Sequence, residues 1–192
     1  MQVNNCINNH GFEVNGPKLI TKNVIKDQRG FFFESWNKFE YQKHLNISSE
    51  FVQLNQSRSH KGVLRGLHYQ LEPNAQGKLV NCLRGRIFDV IVDIRKNSPT
   101  YSSWIGIELN EDFEESIWIP PGFAHGFYTL SKSADVQYFV TKSWNKNFER
   151  CIVWDDKEIN IKWPLSNDLP IVSEKDLRGL SLYDAENLEY IF

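Results

Sequence analysis

The feature that most limits how this chain can fold is an alternation of period two that returns along its length. In Arg86 to Lys96, RIFDVIVDIRK, residues Phe88, Val90, Val92 and Ile94 fall on one side. Ile87, Asp89, Ile91 and Asp93 fall on the other. Successive side chains of a strand point to opposite faces, so this is a strand with one fully apolar face. KLVNCL, SWIGIEL, SIWI, GFYTL, VQYFVTKSW and INIKW repeat the pattern. Turn formers such as Asp27-Gln28-Arg29-Gly30, Arg84-Gly85, Asn97-Ser98-Pro99, Pro120-Pro121-Gly122 and Trp163-Pro164 punctuate them. Only Asn37 to Leu45 reads as a helix, and the tail from Ser173 has room for another turn or two.

Many short strands between regular turns predict a mainly β chain with few short helices, built as a jelly-roll β-sandwich or barrel. No repeat or composition break divides the 192 residues, so one domain over 1–192 is expected. Such a fold leaves a cavity between its sheets, and polar side chains aimed into it are the functional candidates. The balance of 41% hydrophobic and 24% charged residues suits a globular core. A formal net charge of -2 gives no basic field for nucleic acid. No segment approaches the roughly 20 apolar residues that cross a bilayer. The polar start MQVNNCINNHGFEV lacks the pattern of a signal peptide. Cys6, Cys82 and Cys151 are odd in number and widely spaced, which reads as reduced thiols in a cytoplasm.

Two histidines raise the question of metal or proton transfer. His125 follows P-x-G in PPGFAHGF, like the second half of a cupin metal motif. The first half of that motif is H-x-H followed by Glu. Here the place holds His68-Tyr69-Gln70, with no Glu in register. Protein metal sites usually take three or four protein ligands. Two histidines without a carboxylate therefore argue against a metal or other cofactor. Both could instead be core residues satisfied by carbonyls.

Taken together, DQRGFFFESW, FVQLNQSRSHKGVLRGLHYQ, AQGKLV, GRIFDVIVDIRKNSPTY, WIPPGFAHGF and WDDKEINIKWP resemble the dTDP-4-dehydrorhamnose 3,5-epimerase family, from about Lys18 to Asp176. These are metal-free cupins that act on a nucleotide-linked 4-keto-6-deoxyhexose. The ketone acidifies the hydrogens on C3 and C5. Inversion removes a proton from one face and returns one to the other, through an enolate. The resemblance implies His68 as the base, a role that suits histidine as a residue type. It implies Asp176 as its orienting partner, Tyr138 as the opposite-face acid and Lys78 beside the enolate oxygen. His125 is expected to bond the sugar or its phosphate. Arg29 and Glu34 are expected to reach the site of a neighbouring subunit, which implies a homodimer. Gln53, Asn55, Arg65, Glu149 and Lys175 match further substrate contacts. Alone, Tyr138 would read as a core tyrosine and the charged residues as a solvated face.

Three details bear on this reading. Arg65 and His68 differ by an odd number, so a regular strand turns them apart unless a bulge at Gly66 intervenes. The family has Tyr-Lys where this chain has Tyr138-Phe139. It also has a thymine-stacking Tyr where this chain has Trp144, which shares strand parity with Tyr138. Trp preserves stacking but leaves open guanine or cytosine in place of thymine. The alternatives within the fold are a C3-only or C5-only epimerase and a 3,4-ketoisomerase. Outside it stand a non-catalytic sugar-nucleotide binder and, less favoured by the ligands present, a metal-dependent oxygenase.

Overall fold

The alternating segments pair into two antiparallel sheets that face one another. In the computed structural model, residues 1–45, 47, 50–111, 115–166 and 169–192 are described. The first sheet runs β1 (Gln2–Ile7), β2 (Glu13–Thr21), β10 (Glu115–Ile119), β7 (Lys78–Arg84), β12 (Ser133–Val140), β5 (Gln53–His60). The second runs β13 (Glu149–Cys151), β6 (Leu64–Gln70), β11 (Phe123–Thr129), β8 (Arg86–Asp93), β9 (Trp104–Asn110). A small hairpin of β3 (Ile25–Asp27) and β4 (Gly30–Phe32) stands apart from both.

Three apolar clusters account for the layering. Between the sheets, Val80, Ile117 and Val136 of the first meet Ile87, Ile91, Leu109 and Phe127 of the second. The outer face of the second sheet presents Leu67, Tyr69, Val90, Val92 and Ile94, covered by Ile159, Trp163, Leu182 and the terminal Phe192. The outer face of the first carries Ile20, Leu79 and Trp118 under Tyr41 and Leu45 of helix α1 (Lys38–Leu45). The β8 strand is therefore buried on both sides. Its fully apolar face looks outward beneath the C-terminal segment, while the mixed face carrying Asp89 looks into the sandwich. Each buried aliphatic side chain contributes roughly 1.5–3 kcal/mol, so the covering segments stabilise the sheets they hide.

The structure departs from the expected strands in three places. Residues 159–163 form no strand, although INIKW alternates. They lie against the second sheet by Ile159, Ile161 and Trp163, whose indole donates to Trp154 O at 2.8 Å. The last strand of the first sheet ends at Val140, so Trp144 sits in the loop beyond β12 rather than on the face that bears Tyr138. Polar β1 and most of β2 carried too little alternation to be anticipated. They pair with each other, and β2 docks on β10. Two short helices complete the tail, α2 (Glu174–Leu177) and α3 (Leu182–Asn187), capped by Ser173 and Ser181.

Candidate active site

One cavity of about 400 Å³ opens between the sheets. From the first sheet it receives Gln53, Asn55, Lys78 and Tyr138; from the second, Arg65, His68, His125 and Glu149. Trp144 stands at it from the loop beyond β12.

A bulge decides the β6 wall. His68 lies opposite His125 and Arg65 opposite Phe127, so three steps on β6 match two on β11. The extra residue reverses the facing expected from parity and brings Arg65 and His68 to the same cavity, as the Gly66 reading required. Gly66 has φ +122, and a Cβ there would lie 2.6 Å from Gly126 Cα. Only glycine suits that position.

His68 Nε2 lies 2.7 Å from Asp176 Oδ1, while Gly66 N donates to Asp176 Oδ2 at 3.2 Å. Burial raises the pKa of Asp176, but its hydrogen bonds to His68, Gly66 and Ser173 outweigh that and hold it below the usual carboxylate value. A carboxylate can only accept, so the shared proton belongs to Nε2 and the lone pair to Nδ1. The buried Lys78 ammonium donates to His68 O at 2.9 Å. Burial brings its pKa down to about 8, against the opposing pull of Asp89 and Glu149. Burial likewise raises the Tyr138 phenol, which keeps it protonated at neutral pH.

His125 repeats the His–carboxylate arrangement, with Nε2 at 2.9 Å from Asp89 Oδ2. Burial lowers its pKa despite Asp89. Asp89 escaped the sequence reading, although an Asp between Ile87 and Ile91 on one strand face was the available signal. Arg65 Nε donates to Ser59 Oγ at 2.9 Å, and Lys175 pairs with Glu149 at 2.6 Å across the rim. Arg29 and Glu34 do not join this cavity. Arg29 is exposed and bonds Asp27 at 2.6 Å, and Glu34 accepts from Asn37 at 3.0 Å.

His68, Cys151 and Asp176 bring potential metal ligands within 4.8 Å of one another. Their chemistry does not suit an ion. The imidazole and carboxylate already satisfy each other, and burial pushes the Cys151 thiol up to about 12. Gln70, in the place of the second cupin histidine, uses its amide on backbone instead. Its Nε2 donates to Asn74 O at 2.7 Å, and its Oε1 accepts from Asn145 N at 2.6 Å.

Comparison with known proteins identifies relatives of this arrangement. The sequence model of the dTDP-4-dehydrorhamnose 3,5-epimerase family matches residues 11–184. The dTDP-4-dehydrorhamnose 3,5-epimerase of Shigella flexneri is 49% identical over 174 residues, covering 91% of this chain and 95% of its own. The crystal structure of the dTDP-6-deoxy-D-glucose-3,5-epimerase of Legionella pneumophila, bound to dTDP-4-keto-L-rhamnose, superposes with a TM-score of 0.90. It shares 41% identity over 99% of this chain and 97% of its own. A 3'-monoepimerase from Streptomyces bikiniensis, bound to dTDP-quinovose, gives a TM-score of 0.85 at 27% identity, over 92% of this chain and 88% of its own.

Proposed function

The chain belongs to the dTDP-4-dehydrorhamnose 3,5-epimerase family, and from that premise we propose that it inverts C3 and C5 of a dTDP-linked 4-keto-6-deoxyhexose. The observation that carries the mechanism is that His68 and Tyr138 line one cavity from opposite sheets. A sugar ring between them meets a base on one side and an acid on the other. His68 Nδ1 removes the proton next to the C4 ketone, and Asp176 stabilises the imidazolium that results. The Lys78 ammonium, itself buried, offsets the charge that gathers on the enolate oxygen. Tyr138 then returns a proton to the far face. Arg65 binds the diphosphate through its planar fork. Glu149, Lys175, Asn55 and His125 orient the sugar, and Trp144 stacks on the base.

Incubation with substrate in D₂O, read by mass and NMR, tests this. The native enzyme is expected to place deuterium at both C3 and C5 with inversion. His68→Asn should lose exchange and inversion together, because no enolate forms. Tyr138→Phe should still exchange but invert little, since His68 can return a deuteron to the face it came from. Label at one carbon alone would instead favour single-site epimerisation, the activity of the S. bikiniensis relative. Inversion by Tyr138→Phe at the native rate would remove Tyr138 from the mechanism.

The reaction written this way uses no metal, so exhaustive chelation is expected to leave turnover unchanged. The homodimer is part of the same proposal. The β3–β4 hairpin leaves Ile25, Phe31 and Phe32 each 65–69% exposed, an apolar projection that suits a second subunit. Among the described residues no helix is long and apolar enough to cross a membrane. The thiols, all free, are in keeping with the cytoplasm we propose as its compartment.

A further inference from the structure

The loop that carries Trp144 has left the sheet, yet its backbone is not left to water. Thr141 N donates to Gly77 O at 3.0 Å. From there three glutamine side chains replace a partner strand. Gln76 Nε2 donates to Lys142 O at 2.6 Å. Gln70 Nε2 donates to Ser143 O at 3.3 Å, and Gln53 Oε1 accepts from Trp144 N at 3.0 Å. Gln70 Oε1 accepts from Asn145 N at 2.6 Å. Gln70 therefore grips the backbone on both sides of Trp144, and it is itself only 3% exposed on β6.

The demand at this position is specific. One acceptor must face Asn145 N while donors face two carbonyls, those of Asn74 and Ser143. A primary amide meets all three. A neutral imidazole offers one donor and one acceptor, and a carboxylate offers none of the donors. Gln70 also follows His68 by two residues on the same strand, so both point into the cavity. One strand thus fixes the reacting end of the site and the wall where the base would lie.

We propose that Gln70 is a positioning residue that holds the Trp144 indole in place to receive the nucleotide base, so that it sets nucleotide affinity without touching the reacting carbons. The proposal rests on the reading that Trp144 stacks on the base. A loop ordered before binding loses less conformational freedom when the ligand arrives, which appears as affinity. Removing the amide should therefore raise KM and the Kd for dTDP while leaving kcat close to native.

The test is a double-mutant cycle read by dTDP titration and steady-state kinetics. Gln70→Met keeps the volume and removes all three hydrogen bonds. Gln70→His, which restores one donor and one acceptor, serves if the Met variant fails to fold. Trp144→Ala alone should weaken dTDP binding by about tenfold or more, in line with base–aromatic stacking elsewhere. Gln70→Met should weaken it several-fold with kcat within about twofold of native. The double variant should bind no worse than Trp144→Ala, because Gln70 then has no indole left to position. If Trp144→Ala binds dTDP as the native protein does, the stacking reading falls and takes this proposal with it. If Trp144→Ala weakens binding but Gln70→Met does not, stacking stands and the clamp is wrong. If the two losses multiply in the double variant, Gln70 acts on something other than Trp144.

Discussion

Lys78 illustrates how burial turns an ordinary side chain into a reactive one. Its ammonium is enclosed and bonded to a backbone carbonyl of the β6 wall, and its pKa falls to about 8. The charged form is therefore present below that value and is lost as pH rises through it. If the ammonium neutralises the enolate, kcat/KM should decline on the alkaline side with a midpoint near 8. Any residual activity of Lys78→Arg should lack this limb, because a guanidinium does not titrate in that range. A pH–rate profile of both proteins checks the expectation; an alkaline limb unchanged in Lys78→Arg would assign it to another group. At this scale the sequence was legible where a motif named the residue. His68, Lys78, Tyr138 and Arg65 meet in one cavity as the resemblance implied. Asp89 was less legible: an acid on an otherwise aliphatic strand face hints at a buried role, but nothing local says what it partners. Only the pairing of β8 with β11, which sets His125 beside it, gives Asp89 a partner.

The β6 strand shows what a single element must supply. Its bulge turns Arg65 and His68 to one side, and the bulge depends on a residue without a side chain at position 66. An added methyl group would press on Gly126 Cα at 2.6 Å and His125 O at 2.8 Å, both backbone. The φ of +122 is also poorly tolerated by alanine. Gly66→Ala should therefore destabilise the protein by roughly 2–4 kcal/mol, as backbone strain and overpacking add. Because β6 must shift to relieve the clash and carries Arg65, His68 and Gln70, catalysis and dTDP binding should both fall beyond what the loss of stability explains. Thermal unfolding combined with dTDP titration separates the two effects. A variant with native stability and kcat would show that β6 does not need the bulge. Elements like this were readable in part. Parity exposed the conflict between Arg65 and His68, and Gly66 offered its resolution. The fate of 159–163 was not readable, because alternation reports apolar packing on one side and says nothing of a partner strand. The loop after Val140 was missed for the converse reason. Its hydrogen bonds come from glutamine side chains distant in sequence, which no local period records.

At the scale of the whole molecule, two of the expected site residues that do not line the cavity become informative. Arg29 lies in the turn of the β3–β4 hairpin and Glu34 just beyond its second strand, and neither lines the cavity of its own subunit. The two-sheet frame was legible because alternation dominates its strands. The hairpin's role came from the resemblance alone, because no period in its own sequence says that Ile25, Phe31 and Phe32 stay 65–69% exposed. A two-fold dimer in which each hairpin enters the partner's site would use both features, since such an interface repeats the same contact twice. Light scattering coupled to gel filtration should then give twice the mass of the 22.5 kDa chain. A complementation experiment distinguishes this arrangement from one in which each subunit serves itself. Arg29→Ala and His68→Asn are each expected to impair catalysis as homodimers. When the two are unfolded, mixed in equal amounts and refolded, about half of the dimers should contain one of each. Within such a dimer, the site with the native His68 lies in the Arg29→Ala subunit and receives native Arg29 from its partner. The other site carries both lesions. One site in two is restored, so the mixture should recover about a quarter of native activity. If Arg29 acts within its own subunit, every mixed dimer has one lesion in each site and mixing recovers nothing. Absence of recovery from a mixture that demonstrably contains the heterodimer would overturn the shared site while leaving the His68–Asp176 chemistry untouched.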